Sequence, residues 1–299
     1  MTSHMPYTIE TIAAPSTLGL SSNGVEKLAE VLLSCGLQQK IHSNHPVIYI
    51  PAHYYQRSTI RDSETNCLNT SAIIHFSKVL HKAVTTVIQR KHFCFVLGGD
   101  CSILLGITAA LKTKGVYGLV FIDAHADFYS PEKSTTGEVA DMDLAIVTGR
   151  GPELLTNIDG LKPYILDENV IHIAQRDEEQ TEEYDSPDIR ATDIACFSLK
   201  QIRAEGLGVI MEKVLRHINT LDIDGFWIHF DTDVLADEIN PAVDYRLPGG
   251  LQFNEATMLL SNLLATGKAA GISVTIYNSD LDANAYIARQ ITDCLGNAF

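Results

Sequence analysis

Short apolar runs rich in β-branched and aromatic residues alternate along this chain with longer helical stretches. Several runs are apolar throughout, which is typical of strands that helices cover on both faces. The stretches between them are long enough to be crossover helices, and crossovers join parallel strands. The pattern predicts an α/β fold, a three-layer αβα sandwich with a mostly parallel sheet. The predicted strands are 7–13, 46–50, 93–97, 118–122, 170–174, 225–230 and 271–277, and the main predicted helices are 24–35, 70–89, 103–113, 199–221 and 254–266.

The chain is long enough to build this sandwich as one unit. Its 299 residues, of which 45% are hydrophobic, can bury a large core, which excludes a disordered or fibrous protein. No Gly/Ser-rich or Pro-rich linker divides the sequence, and no internal repeat of about 20–50 residues is visible. We therefore expect a single domain over residues 1–299.

The formal net charge of −15 narrows the possible partners. It repels phosphate backbones and acidic membrane surfaces, so neither nucleic acid nor a membrane is an expected partner. A small cationic or amino-acid-like substrate, or metal ions among clustered carboxylates, fits this charge better, although solubility alone also explains an acidic surface. Six scattered cysteines without a CxxC pair, and a start without an apolar signal segment, predict a reduced, cytoplasmic protein.

Three short polar segments follow directly on apolar predicted strands. They read GGDCS at 98–102, DAHAD at 123–127 and DTD at 231–233. The carboxyl ends of neighbouring parallel strands open on one crevice, so we expect the three segments to meet there. Alternation along an extended backbone points Asp123, His125 and Asp127 to one side. The same alternation groups Asp231 with Asp233.

Each segment alone has an ordinary structural explanation, because a DxD is often a turn, a GG before a helix often reflects packing, and a lone histidine is often structural. Together, four carboxylates and an imidazole would destabilise the fold unless cations neutralised them. Two divalent ions balance four negative charges, and a paired-metal site generates hydroxide at neutral pH and polarises the substrate. The combination predicts a two-metal hydrolytic site.

This order of motifs resembles that of the ureohydrolase family, which contains arginases, agmatinases and formiminoglutamases. The resemblance covers nearly the whole chain, from IAAPSTLGL through TGEVADMDLA, IAQRDEEQ and PAVDYRLPGGL to VTIYNSDLD. It implies the arginase/deacetylase α/β fold and two divalent ions, manganese in this family, that hydrolyse a guanidino or related C–N bond through a metal-bridging hydroxide. Bacterial arginase-like proteins are the most similar in pattern.

The resemblance also implies the metal ligands. One ion would be held by Cys101, Asp123, Asp127 and Asp231, and the other by Asp123, His125, Asp231 and Asp233. Asp127 and His125 are the candidate catalytic residues. The family has histidine where Cys101 stands, and a thiolate suits zinc or iron better than manganese. The Cys101 site would thus bind manganese weakly, hold another metal or stay vacant, unless Cys101 is only a buried structural thiol.

Other departures from the family concern the substrate. The proton-shuttling histidine of the arginase stretch GNLHGM corresponds to Ala140, and the guanidinium-binding glutamate of DIMEVNP corresponds to Ile276. Other acidic residues can take the place of the missing glutamate in binding a cationic substrate. The candidates are Glu138, Glu179 and Glu182. Glu179 and Glu182 lie in an acidic stretch at 176–193 that we expect to be a surface loop. A solvated loop explains these acidic residues equally well without a role in substrate binding.

The remaining histidines and the single tryptophan are given structural roles. We expect His229 to face the opposite side of its strand from Asp231, and to support a ligand or the core rather than bind metal. We expect Trp227 to lie in the core. The loop histidines are expected to be His42, His45 and His53.

The sequence favours an arginase-like amidinohydrolase that acts on a small guanidino compound and forms a homo-oligomer. A formimino or other amidine hydrolase is the alternative with the same chemistry, favoured by Ile276. A binding protein that kept the fold but holds little metal and has lost turnover is the alternative from another class, suggested by Cys101 and Ala140 together.

Overall fold

A computed structural model describes residues 8–52 and 57–299 of the chain. Its strands are β1 Ile9–Ala13, β2 Ile48–Tyr49, β3 Phe93–Leu97, β4 Tyr117–Ile122, β5 Val170–Ile173, β6 Ala195–Phe197, β7 Gly225–Asp231 and β8 Ala269–Thr275. They form one sheet in the order β2-β1-β3-β8-β7-β4-β5-β6, and all neighbouring pairs are parallel. The predicted parallel sheet is therefore confirmed.

Helices cover both faces of this sheet. They are α1 Leu28–Ser34, α2 Leu37–Lys40, α3 Thr70–Gln89, α4 Leu104–Lys112, α5 Asp143–Val147, α6 Glu153–Thr156, α7 Glu178–Glu183, α8 Leu199–Glu205, α9 Leu207–Thr220, α10 Phe253–Ala265 and α11 Tyr286–Ala298. One apolar cluster joins the sheet to α1, α2 and α8 to α11, and a second joins it to α3 to α6. The sheet and the helices on its two faces are the three layers that the sequence predicts, and the two clusters are the apolar contacts between them.

Strand β3 illustrates why the sheet sits between the two helix layers. Phe93, Phe95 and Leu97 belong to one apolar cluster, whereas Cys94 and Val96 belong to the other. Alternate side chains of a strand point to opposite faces, so a strand that is apolar throughout must be covered on both. In the described residues, no helix combines the length and the apolar character needed to cross a membrane.

The differences from the predicted elements have local causes. The single helix expected over 199–221 is two helices, because Gly206 lies between them with φ +90° and ψ 140° and breaks the helical hydrogen-bonding pattern. Strand β6 has three residues and gave no recognisable run, and α11 was not predicted. Tyr7 of the first predicted strand and His53 lie outside the described residues. Trp227 is fully buried, as expected.

Candidate metal centre

The three polar segments meet at one edge of the sheet. Cys101 begins a short 3-10 turn after β3, Asp123 directly follows β4, and Asp231 is the last residue of β7. These strands, with β8 between β3 and β7, are consecutive neighbours, and all run in the same direction. Their carboxyl ends therefore open on one crevice, and the structure brings the predicted segments together there.

Close backbone packing fixes the first of these segments. A Cβ on Gly99 would lie 1.8 Å from the carbonyl oxygen of Ser16, so only glycine fits at this point. The GG pair is thus explained by packing, while the residues that follow it carry the donor atoms. Asp100 accepts a hydrogen bond from the amide of Ser102 at 2.8 Å and starts the turn that presents Cys101.

Backbone amides hold one oxygen of each key aspartate. The amide of His125 donates to Asp123 Oδ1 at 2.7 Å, and the amide of Asp233 donates to Asp231 Oδ1 at 2.8 Å. In both turns the donor lies two residues after the acceptor, the usual arrangement of an Asx turn. The side-chain torsion is fixed in this way, and the second oxygen of each carboxylate is left for other partners.

Two groups of donor atoms result. The first, the Cys101 group, consists of the buried residues Cys101, Asp123, His229 and Asp231, and each offers an atom within 4.8 Å of the other three. The second, the His125 group, consists by the same measure of Asp123, His125 and Asp233. The expectation that His229 faces away from Asp231 is wrong, because residues two apart on a strand share a face. Asp127, which the resemblance assigned as a ligand beside Cys101, belongs to neither group and lies next to them, where its carboxyl group and that of Asp143 repel each other.

A hydrogen bond or close polar contact links two members within each group. The Cys101 thiol donates to Asp231 Oδ2 at 2.8 Å, and burial, followed by the charge of Asp231, raises the pKa of the thiol well above its ordinary value. His125 Nδ1 lies 2.9 Å from Asp233 Oδ2. Burial opposes the charged imidazole, but Asp233 and Asp123 outweigh it and raise the pKa of His125 well above its ordinary value.

The carboxylates of the site have too few positively charged partners in the protein to balance their charge. Burial, and then the charge of Asp233, raises the pKa of Asp123 to about 7. Burial and neighbouring carboxylates also raise the pKa of Asp127, Asp143 and Asp231 well above the ordinary range. Asp123 Oδ2 is buried and has no hydrogen-bond partner among the described residues. An unpartnered oxygen in a crowded set of acidic donors fits divalent cations.

A cavity of about 100 Å³ that is open to solvent adjoins the donors. Its lining includes Leu20, Cys101, His125, Asp127, Tyr129, Glu138, Ala140, Asp141, Asp177, Gln180, Tyr184, Asp231, Asp233, Asp244, Tyr245 and Ile276. One wall is acidic and the wall beside Cys101 is apolar.

Comparison with known proteins identifies the family. The model of the arginase family matches residues 13–298. The chain belongs to the arginase family. An arginase of Staphylococcus aureus is 28% identical over 300 residues, which cover 97% of this chain and 96% of the relative. The arginase structure from Bacillus caldovelox is 26% identical, covers 98% of each chain and superposes with a TM-score of 0.88.

Family membership settles the reaction class that the motifs predicted. The chain is a metal-dependent amidinohydrolase, and the family's enzymes act on guanidino compounds with a binuclear divalent-metal centre. A formimidoylglutamase structure from Bacillus subtilis covers all of this chain and 88% of its own with a TM-score of 0.73, and at 18% identity it shows the shared fold alone.

The three glutamates predicted to bind substrate are in different environments. Glu138 is buried and lines the cavity. Glu179 and Glu182 are exposed on α7, and neither is among the cavity-lining residues of the described chain. The expected loop at 176–193 contains this helix, and its period places Asp177, Gln180 and Tyr184 toward the cavity instead.

Two departures from the arginase pattern shape the apolar wall. Ala140 and Ile276 form a buried cluster with Leu20, Val243 and Cys101. Ile276 adopts φ +72°, which β-branched residues rarely do, and its amide donates to the carbonyl of Gly99 at 2.9 Å. The positions that the resemblance matches to the proton-shuttling histidine and the guanidinium-binding glutamate of arginases therefore present hydrocarbon to the cavity here.

Sequence reasoning missed two charged residues of the site. Asp143 opens the otherwise apolar helix α5, and an acid at the start of a buried helix was a usable indication. Arg176 donates to the carbonyl oxygens of Asp233 at 2.7 Å and of Val234 and Leu235 at 3.2 Å. It therefore fixes the turn that carries Asp233, a role that no motif indicates.

We expect the metal-free protein to lose stability as the pH rises from about 6.5 to 8.5. The raised pKa values of Asp123, Asp127, Asp143 and Asp231 mean that the folded protein binds protons that the unfolded chain has released. Stability from such groups is complete below the unfolded pKa and is lost as the pH rises through the folded pKa. Thermal unfolding after EDTA treatment tests this, and added metal should remove most of the difference. Equal Tm values for the metal-free protein at both pH values would contradict the assigned shifts.

Proposed function

We propose that this arginase-family enzyme hydrolyses a C–N bond in a small cationic, amino-acid-like guanidino or amidine compound. The observation that carries the proposal is the pair of donor groups sharing Asp123 beside an open cavity with an acidic wall. Divalent ions held by these donors would supply Lewis acidity and acidify water. The remaining steps belong to the side chains, which orient the substrate and move protons.

Asp127 is proposed to handle the proton of the attacking water. Its carboxyl group lines the cavity and lies near that of Asp143. Burial and the charges of Asp123 and Asp143 raise its pKa, so this carboxyl can hold a proton near neutral pH. In its ionised form it can accept the proton as water attacks the carbon, and in its protonated form it can then donate that proton to the departing nitrogen.

His125 is proposed to bind a metal ion together with Asp123 and Asp233. It lines the cavity, and the contact of its Nδ1 with Asp233 fixes the ring. With Asp123 and Asp233 it would hold one of the ions and place it against the substrate. Its oxygen-rich partners suit manganese, and manganese at this group is part of the proposal.

Glu138 is proposed to bind the cationic end of the substrate. The amide of Ser21 donates to its Oε1 at 2.6 Å, and the hydroxyl of Tyr245 donates to its Oε2 at 2.7 Å. These contacts hold the carboxylate at the cavity wall, where Asp141 and Asp244 add negative character. A carboxylate has about four acceptor positions, so a substrate ammonium group can still bind.

Glu138→Gln should raise KM about tenfold and change kcat much less. The substitution removes one charge-assisted hydrogen bond to a part of the substrate that is held equally in ground and transition states. Steady-state kinetics on the best substrate measure both constants. Glu183→Gln, on an exposed position of α7, is the matched control. An unchanged KM in Glu138→Gln would remove this residue from the binding site.

A formimino or N-substituted amidine is the second candidate substrate. The apolar wall of Ala140 and Ile276 favours it, because no carboxylate there would pair with the second nitrogen of a guanidinium group. An uncharged or alkylated group would pack against this wall.

The proposed function is tested by a substrate panel. Protein reconstituted with manganese, zinc or both is incubated with guanidino, amidine and formimino compounds, and the release of urea, ammonia and formamide is measured. We expect metal-dependent release from at least one class that EDTA abolishes. Full metal loading with an intact fold and no release from any compound would favour the alternative of a binding protein without turnover.

Three further properties stay proposals that the sequence supports. They are a single domain over the whole chain, self-association into a homo-oligomer, and a cytoplasmic location consistent with six cysteines in the reduced form.

A further inference from the structure

We propose that His229 binds a metal ion directly, together with Cys101, Asp123 and Asp231, and that this four-donor site takes zinc in preference to manganese. The inference rests on the proposed function and deepens it by assigning the ligands and metal of one half of the centre. It starts from geometry, because a donor atom of each of these buried side chains lies within 4.8 Å of the other three.

The neighbours of His229 fix the orientation of its ring. Nδ1 lies 2.9 Å from Ser273 Oγ on the adjacent strand β8, and that hydroxyl also accepts a hydrogen bond from Trp227 Nε1 at 3.0 Å. The ring stacks on Phe121 with centroids 4.8 Å apart and an interplanar angle of 18°. A histidine held by packing and by a contact at one nitrogen presents its other nitrogen in a defined direction.

The second nitrogen lies near a hydroxyl that also contacts the sulfur and one of the carboxylate donors. Nε2 is 3.5 Å from Thr275 Oγ1, and this hydroxyl is 3.2 Å from Cys101 Sγ and 3.4 Å from Asp231 Oδ2. We assign the Nδ1 proton to the contact with Ser273, which leaves the lone pair of Nε2 directed at these donors. Metal-binding histidines commonly donate their other ring N–H in this way.

The donor set decides the metal. Thiolate, imidazole and two carboxylates form a mixed set that suits tetrahedral zinc, and a thiolate disfavours manganese. The neighbouring group of Asp123, His125 and Asp233 has no sulfur and suits manganese better. Asp123 belongs to both groups, so the centre would hold two different ions joined by one carboxylate.

X-ray absorption at the zinc edge of the wild-type protein tests the ligands directly. The EDTA-treated full chain receives one equivalent of zinc and excess manganese. We expect one sulfur neighbour and the outer-shell scattering of one imidazole per zinc. Sulfur without imidazole would overturn the assignment of His229, and imidazole without sulfur would place zinc at His125 and overturn the proposed metal preference.

His229→Gln provides the matching affinity measurement. We expect its zinc Kd, measured by competition with a chromophoric chelator, to rise at least about 100-fold, whereas manganese binding at the His125 group changes little. His172→Gln is the control, because His172 is also fully buried but lies outside both donor groups. An unchanged zinc Kd in a folded His229→Gln variant would overturn the proposal. If that variant does not fold, the wild-type absorption spectrum still decides.

These measurements separate the inference from the proposed function, because neither uses a substrate. Zinc held by sulfur and imidazole in a protein that hydrolyses nothing on the panel would support the site and reject the function. Hydrolysis by a protein whose zinc lacks an imidazole neighbour would support the function and reject the site.

Discussion

Asp231→Ala is expected to lower turnover by at least about 1,000-fold and to abolish metal binding at the Cys101 group. Asp231 is buried at the end of β7, where its Oδ2 meets Cys101 Sγ and its Oδ1 holds the amide of Asp233. Its loss removes one donor and releases the turn that carries Asp233, so both ions should be affected.

The metal-free Asp231→Ala variant should be at least as stable at pH 8.5 as metal-free wild type, because one carboxylate of a mutually repelling set is gone. Metal should no longer raise its Tm. Elemental analysis and thermal unfolding with and without metal measure these effects. Asp222→Ala, at an exposed position before β7, is the control. Wild-type metal content and turnover in Asp231→Ala would refute the site assignment.

Arg176→Met should destabilise the fold by about 3 kcal/mol or more and weaken metal binding. The guanidinium group donates to the backbone carbonyls of Asp233, Val234 and Leu235, and methionine leaves these acceptors without their donor. The positive charge also helps to lower the pKa of Asp233, so its loss makes that carboxylate easier to protonate.

Chemical denaturation of wild type, Arg176→Met and Arg176→Lys measures the effect. Lysine keeps the charge but cannot span several carbonyls, so it should recover only part of the stability. Arg246→Met is the control, because Arg246 is exposed and pairs with Asp237 at the surface, where ion pairs contribute little. Equal unfolding midpoints for wild type and Arg176→Met would show that the carbonyls find other partners.

Most of the fold was predictable from the sequence because its strands are buried on both faces. Runs such as 93–97 are apolar throughout, and their lengths mark strands without ambiguity. The interruption at Gly206 was not predicted, because one glycine is also compatible with a continuous helix until its φ is known. Strand β6 is too short for its periodicity to stand out.

The centre was predictable only as far as local alternation and strand order allow. The alternation rule that the sequence analysis applied to Asp123, His125 and Asp127 also places His229 with Asp231, and applying it to β7 would have brought His229 into the site. Whether Glu179 faces the cavity depends on the residue at which α7 begins, and a run of acidic residues does not indicate that start. Arg176 acts through backbone carbonyls, which leave no trace in a sequence motif.

Anomalous diffraction from crystals of the protein saturated with manganese and zinc, with data at both absorption edges, tests the central claim most directly. The account predicts two anomalous peaks at the carboxyl ends of β3, β4 and β7, a zinc ion contacting Cys101 and Asp231 and a manganese ion contacting His125 and Asp233. Crystals of an intact fold that show no anomalous peak among these residues at saturating metal would contradict it.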